Sequence, residues 1–193
     1  MAFIRKSYKI AFSCIIAFLL NVNLSFAVNI DDGFGSARKI EGRYFTVYYA
    51  PELEITGLLQ KLNISAAEKL LVGKEDDGSF SSETGLADMV DAIFLLACGV
   101  LDMNLYSYHG TIKICRDSSQ LNGIYGNLFK QNTTLRSFYV NDLNTVYTSV
   151  DNFSRGVIGH EIAHAVISHY FVVLPSVKIQ EVLAMYVEYQ LKR

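Results

Sequence analysis

Residues 156–170 of the 193-residue chain read GVIGHEIAHAVISHY. Apolar side chains recur through this segment at intervals of three and four residues, which predicts a helix with one buried face. His160 and His164 are four residues apart, so their imidazole rings lie on one face of that helix and can point at a single metal ion. Glu161 is the residue after His160, and its carboxylate therefore flanks the metal, where it can take a proton from a metal-bound water.

The start and the glycines of this helix can be read from the same region. Asp151 or Asn152 is a suitable N-cap, and the helix is expected to run to about Tyr170. Gly156 and Gly159 each cost about 1 kcal/mol relative to alanine inside a helix. Their presence indicates either the close approach of another backbone beside the metal or tight packing against a neighbouring helix.

A second predicted helix carries the best candidate for a third metal ligand. Its first turn contains Pro175, and it ends near Leu191. A catalytic zinc takes three protein ligands and keeps one position open. Glu181 lies on this helix, 17 residues after His164, and the connection is long enough for the chain to turn back.

Two stretches together resemble the gluzincin superfamily of zinc peptidases, in a minimal peptidase MA-like form. They are residues 159–164 (GHEIAH) and residues 179–188 (IQEVLAMYVE). Gluzincins pair an HExxH helix with a second helix that carries a glutamate ligand. Residues 136–150 also resemble the edge strand and the following strand that precede the motif in such peptidases.

The resemblance implies a zincin-like fold and a specific set of roles. His160, His164 and Glu181 would bind one zinc ion per chain, and Glu161 would be the general base. The reaction would be hydrolysis of a peptide bond by metal-activated water. The edge strand would hold a peptide or protein substrate by β-augmentation.

Two positions depart from the gluzincin pattern. Val182 replaces the usual small residue after the ligand, and Met185 stands where many gluzincins have a carboxylate that orients a ligating histidine. Glu188 is on the same helix face as Glu181, and is either a substitute for that carboxylate or a solvated residue. The alternative function is therefore a catalytically inactive, zinc-stabilised binding or interaction domain. A third interpretation is a metal-free helix with histidines in the core.

The remaining pattern favours an α+β fold. Strands and helices are intermixed without regular βαβ alternation, which predicts a small mixed β-sheet packed on helices. Residues 28–40 are expected to be a loose entry segment. The predicted strands are residues 43–50, 111–115, 136–140 and 145–150. Three other helices are also predicted: residues 53–72 with a possible break at Asn63, residues 86–105, and a helix from Ser118 or Ser119 to about Phe129.

Residues 1–27 have the layout of a secretory signal peptide. Arg5, Lys6 and Lys9 precede an apolar run at residues 10–20, and a short polar stretch then ends in Ser-Phe-Ala at residues 25–27. The apolar run is short for a membrane span, which needs roughly 20 residues. Cleavage after residue 27 is expected, and an uncleaved membrane anchor is the alternative.

Residues 28–193 are expected to form a single zincin-like metallopeptidase domain that is exported, either secreted or periplasmic. Cleavage removes three basic residues, which leaves 14 basic and 19 acidic residues and a net charge of −5. Because the sequence contains no basic run, a nucleic-acid partner is not expected. No stable membrane span is expected after signal cleavage, and the oligomeric state is left open.

Three further residues can be placed only in part. Cys98 and Cys115 either form a disulfide in an oxidising compartment or are buried small hydrophobic residues. His169 falls off the ligand face of its helix, and we expect it to be a rim residue and not a ligand.

Overall fold

The computed structural model describes residues 32–73 and 83–193. The predicted signal peptide, residues 1–27, lies outside these residues, and residues 32–193 cluster as one unit. In chain order the elements are β1 (Arg38–Glu41), β2 (Phe45–Tyr49), α1 (Ile55–Leu62), α2 (Ala66–Lys69), a 3₁₀ turn (Leu70–Val72), α3 (Glu83–Leu101), β3 (Gly110–Cys115), α4 (Ser118–Phe129), β4 (Ser137–Val140), a second 3₁₀ turn (Asn141–Leu143), β5 (Thr145–Ser149), α5 (Arg155–Tyr170) and α6 (Val177–Leu191).

The five strands form one mixed sheet in the order β1-β2-β3-β5-β4. The central strands β2, β3 and β5 are parallel, whereas β1 pairs antiparallel with β2 and β4 pairs antiparallel with β5. The prediction of an α+β fold with a small mixed sheet packed on helices is therefore confirmed. Strand β4 is at the edge of the sheet, and its outer side has no strand partner among the described residues.

Helices cover both faces of the sheet. On one face, α3 and α5 pack against alternate residues of the central strands, such as Ile112 and Ile114, and form the larger core. On the other face, α4 and Phe34 pack against Cys115 and Tyr147 and form a smaller core. Because the side chains of a strand alternate between faces, neighbouring residues of β3 contribute to different cores.

Helix α3 is the most apolar element of the described chain. It is long and apolar enough to cross a membrane, with a mean hydropathy of 1.8, but 67% of that window is buried inside the domain. Its residues Leu86, Val90, Ile93 and Phe94 are each at most 1% exposed. This burial is typical of the core helix of a globular domain.

The two cysteines of the described residues are both free and buried. Cys98 belongs to the larger core and Cys115 to the smaller one, on the other side of the sheet. Burial raises the pKa of the Cys98 thiol to about 11 and that of Cys115 to about 12. Of the two alternatives, the structure therefore has buried small hydrophobic residues and no disulfide.

Helix α5 begins later than the sequence indicates. Its N-cap is Ser154, whose side chain accepts a hydrogen bond from the backbone N–H of Val157. The side chains of Asp151 and Asn152 are occupied elsewhere, because both bond to Ser118 at the start of α4. The two expected caps therefore fix the turn between β5 and α5 instead of starting the helix.

Candidate metal centre

Two glycines bring α5 and α6 close together. A Cβ atom on Gly159 would lie 2.2 Å from a methyl carbon of Leu191, and one on Gly156 would lie 2.6 Å from the side chain of Lys192. Both neighbours are side chains of α6 or its C-cap, so these glycines permit tight helix packing and not the approach of another backbone. The packing holds the predicted ligands of the two helices within reach of each other.

His160, His164 and Glu181 offer one ligand atom each within a small volume. The His160 Nε2 and His164 Nε2 atoms are 3.3 Å apart. Glu181 Oε2 lies 3.6 Å from His160 Nε2, and Glu181 Oε1 lies 3.4 Å from His164 Nε2. Ligands bound tetrahedrally to zinc at about 2.0–2.1 Å are separated by roughly 3.3 Å. The three side chains therefore have the spacing and the donor chemistry that fit one zinc ion.

The protonation of the second histidine suits metal binding. Burial lowers the pKa of His164, and the electrostatic interaction with the neighbouring His160 imidazole lowers it further, while the Glu181 carboxylate opposes the shift. A lowered pKa favours the neutral imidazole, which is the form that binds a metal.

A carboxylate lies behind the first histidine ligand. Glu188 Oε2 is 3.2 Å from His160 Nδ1, a buried nitrogen that has no hydrogen-bond partner among the described residues. Glu188 also accepts a hydrogen bond from Lys192 Nζ. Met185, in contrast, is 61% exposed. Glu188 lies next to the ring nitrogen of His160 that points away from the other two candidate ligands.

Glu161 is buried beside the ligands. It is only 5% exposed, and its Oε1 atom accepts a hydrogen bond of 2.6 Å from the Ser137 hydroxyl. Burial raises the pKa of Glu161 to about 7, the Ser137 hydrogen bond opposes this shift, and the charges of Glu181 and Glu188 add to it. A carboxyl group with a pKa near neutrality can both accept and release a proton.

Ser137 is a site residue that no sequence pattern singles out. It lies in the edge strand β4, 24 residues before Glu161, and its neighbours are ordinary strand residues. A hydroxyl on this strand can reach Glu161 only when the sheet register places it against α5. The register that pairs Ser137 with Thr148 does so.

A cleft runs past these residues along β4. One cavity of about 520 Å³ is lined by Ser137, Glu161 and all three candidate ligands. A second cavity of about 290 Å³ shares Ser137, His160 and Glu161 with the first and extends towards Glu188. The candidate ligands therefore lie in a cleft lined by β4, the edge strand of the sheet in the described part of the chain.

His169 is not part of this cluster. Its Nδ1 atom lies 2.9 Å from the carbonyl oxygen of Ala165, which can only accept, so this nitrogen donates. Its ring meets the edge of Tyr108 with centroids 4.9 Å apart. His169 lies off the ligand face, as the sequence predicts.

Comparison with known proteins adds no relative. No protein-family model matches the chain, no curated protein matches it, and no solved structure matches its fold. The resemblance to gluzincins therefore depends on the residues of this chain alone.

Proposed function

We propose that the chain is an exported zinc metallopeptidase of the gluzincin type, with a zincin-like fold. One observation carries the proposal. His160 and His164 from one helix and Glu181 from another meet at the spacing of zinc ligands, next to the buried carboxyl of Glu161. A cluster of this kind on the floor of a cleft is a typical active-site arrangement.

In this proposal, some residues of the site bind the metal and another transfers protons. His160, His164 and Glu181 hold the metal, and Glu188 orients the ring of His160. A zinc ion held there supplies a Lewis acid that polarises the substrate carbonyl and lowers the pKa of a water molecule. Glu161 takes the proton of the attacking water and delivers it to the leaving amine.

The substrate is a peptide or protein segment held beside β4. The outer edge of β4 has no strand partner among the described residues, so its backbone N–H and C=O groups can pair with an extended chain. Adding a strand in this way orients the peptide along the cleft, past Ser137 and Glu161.

The first experiment compares zinc content and thermal unfolding of the purified chain with those of the Glu181→Ala variant. The proposal requires one zinc per chain in the wild type and a marked loss in the variant. Glu52→Ala, a change at an exposed glutamate outside the cleft, is the matched control and should keep the metal. A correctly folded wild type that takes up no zinc would remove the proposal.

Turnover separates the proposed peptidase from its alternative. A quenched-fluorescence peptide library should be cleaved by the zinc-loaded wild type. A chain that binds zinc at the three ligands and cleaves no peptide would be a zinc-stabilised binding domain instead.

A further inference from the structure

We infer that the substrate is an extended peptide segment that places a bulky, uncharged apolar side chain next to the scissile bond. This inference rests on the proposed function and specifies its substrate class. Four features of the cleft support it: an aromatic wall, an exposed leucine on another element, the distribution of charge, and the face alternation of the edge strand.

The aromatic wall is formed by Tyr125 and Phe129 on α4 and Phe138 on β4. The ring centroids of Tyr125 and Phe129 are 4.6 Å apart, and those of Tyr125 and Phe138 are 5.1 Å apart. All three residues line the same cavity as the candidate metal ligands. Phe129 is nevertheless 41% exposed, so a large part of its ring is available for contact.

A second apolar contact comes from the connection between α5 and α6. Leu174 lines the same cavity and is 44% exposed. Phe129 and Leu174 come from elements far apart in the sequence, yet both present apolar surface to one cavity. Apolar surface of this kind is costly in water and is offset when a ligand covers it.

The described wall of this cavity offers no basic side chain to an acidic residue of the substrate. Among the described residues that line it, the formally charged groups are the carboxylates Glu161 and Glu181, and no lysine or arginine is among them. A buried aspartate or glutamate of the substrate would therefore have no basic side chain to pair with on this wall, which carries a free-energy cost. An apolar side chain carries no charge, so its burial in the cavity avoids this cost.

The alternation of β4 determines how a peptide would use these surfaces. Ser137 bonds to Glu161 on the side of α5, whereas Phe138 belongs to the core on the side of α4. An added strand alternates in the same way, so successive side chains point to the two sides of the sheet. A residue next to one that faces Glu161 therefore faces the aromatic wall.

Peptide binding tests the inference without relying on turnover. The zinc-loaded Glu161→Gln variant would be titrated into two fluorescent octapeptides that differ only at the central position, which is Phe or Ser. We expect the Phe peptide to bind about tenfold more tightly than the Ser peptide. Equal affinities for Phe and Ser would overturn the inference.

Variants of the wall locate the preference. Phe129→Ala and Leu174→Ala, each made in the Glu161→Gln chain, should reduce the ratio of Phe to Ser affinity several-fold. Tyr106→Ala is the control, because Tyr106 is an aromatic residue that is 98% exposed and outside the cavity. Phe129→Leu, which keeps an apolar side chain, serves if the alanine variant does not fold. A ratio unchanged in both wall variants would contradict the inference.

The two proposals can fail separately. Cleavage of the Phe peptide by the wild type tests the peptidase function, and the affinity ratio tests the substrate class. Binding with the expected preference but no cleavage would contradict the proposed peptidase function and would indicate a cleft that only binds apolar peptides. Cleavage of the Phe and Ser peptides without any preference would support the proposed peptidase function and contradict the inferred substrate class.

Discussion

Two carboxyl groups of this protein are buried to nearly the same extent, yet their surroundings differ. Asp32 is 4% exposed and Glu161 is 5% exposed. Asp32 accepts hydrogen bonds from Lys113 Nζ, from the Tyr147 hydroxyl at 2.6 Å and from the backbone N–H of Phe34 at 3.0 Å. Glu161 accepts one hydrogen bond, from a serine hydroxyl.

The difference in partners reverses the shift in pKa. Burial acts to raise the pKa of Asp32, but the bonds from Lys113 and Tyr147 lower it below its ordinary value. Burial raises the pKa of Glu161 to about 7, because the single bond from Ser137 does not compensate. A fully partnered carboxylate is fixed in its charge and stabilises the fold, whereas one with a single donor can exchange its proton.

The largest expected effect concerns the proton exchange of Glu161. Glu161→Gln should lower kcat/KM about 10²- to 10⁴-fold, because the amide cannot act as the general base. Zinc content should remain at one per chain, since the three ligands are untouched. Asp32→Asn, assayed at a temperature where it is folded, is the matched change and should keep kcat/KM. Full activity in Glu161→Gln would mean that the proposed base is wrong.

The sequence predicted the elements that depend on local pattern. The periodicity predicted the position of most helices, and the break at Asn63 is confirmed, because that residue ends α1 with a φ of 46°. The strand β1 was missed and lies in what was expected to be a loose entry segment. Its four residues include only one buried side chain, Ile40, which is too little alternation to predict a strand.

The predicted starts of α4 and α6 were wrong. Helix α4 is capped by Asp117 and not by Ser118 or Ser119. Pro175 precedes α6, which begins at Val177 and therefore does not contain this proline in its first turn.

The candidate site was predictable only where it depends on helical spacing. His160, Glu161 and His164 follow from one helix, and Glu181 came from the resemblance and the length of the connection. The Ser137 contact and the cluster around Asp32 join residues far apart in the chain. The bonds of Asp32 to Lys113 and Tyr147 span 81 and 115 residues, and no local pattern encodes such contacts.

The second expected effect concerns the stability supplied by Asp32. Asp32→Asn should lower the free energy of unfolding by about 3 kcal/mol at pH 7, because it leaves the largely buried Lys113 ammonium without its anion. Urea denaturation measures this change. Glu41→Gln is the control: the ion pair of Glu41 with Lys39 is exposed to solvent, so this change should have little effect on the free energy of unfolding.

The same variant gives a pH dependence with a defined sign. The pKa of Asp32 is lower in the folded protein than its ordinary value of 3.8, so the unfolded chain takes up the proton first as the pH falls. The stability difference between wild type and Asp32→Asn should be complete above the ordinary pKa and shrink as the pH falls below it. A difference that grew on acidification would contradict a lowered pKa.

The third effect tests the carboxylate behind His160. Glu188→Gln should weaken zinc affinity about 10- to 100-fold, as is typical for loss of a group that orients a metal-binding histidine. Competition with a chelator measures the affinity. Lys192→Ala removes the other partner of Glu188 and is the control, which should keep the affinity close to that of the wild type. Equal affinities in all three proteins would mean that Glu188 is a solvated residue.

The smallest effect comes from removing one hydroxyl donor at each carboxylate. Tyr147→Phe leaves Asp32 with Lys113 and Phe34, and should cost about 1–2 kcal/mol of unfolding free energy with kcat/KM unchanged. Ser137→Ala leaves Glu161 with no donor, and should lower kcat/KM about tenfold while zinc affinity stays the same.

A double-mutant cycle shows whether Ser137 acts through Glu161. In the Glu161→Gln chain the charge that Ser137 stabilises is absent, so Ser137→Ala should have little further effect on the residual rate. An equal tenfold loss in both backgrounds would mean that the serine contacts the substrate directly. That result would also mean that the Ser137 hydroxyl does not act on the protonation of Glu161, whereas the Tyr147 hydroxyl helps to keep Asp32 charged.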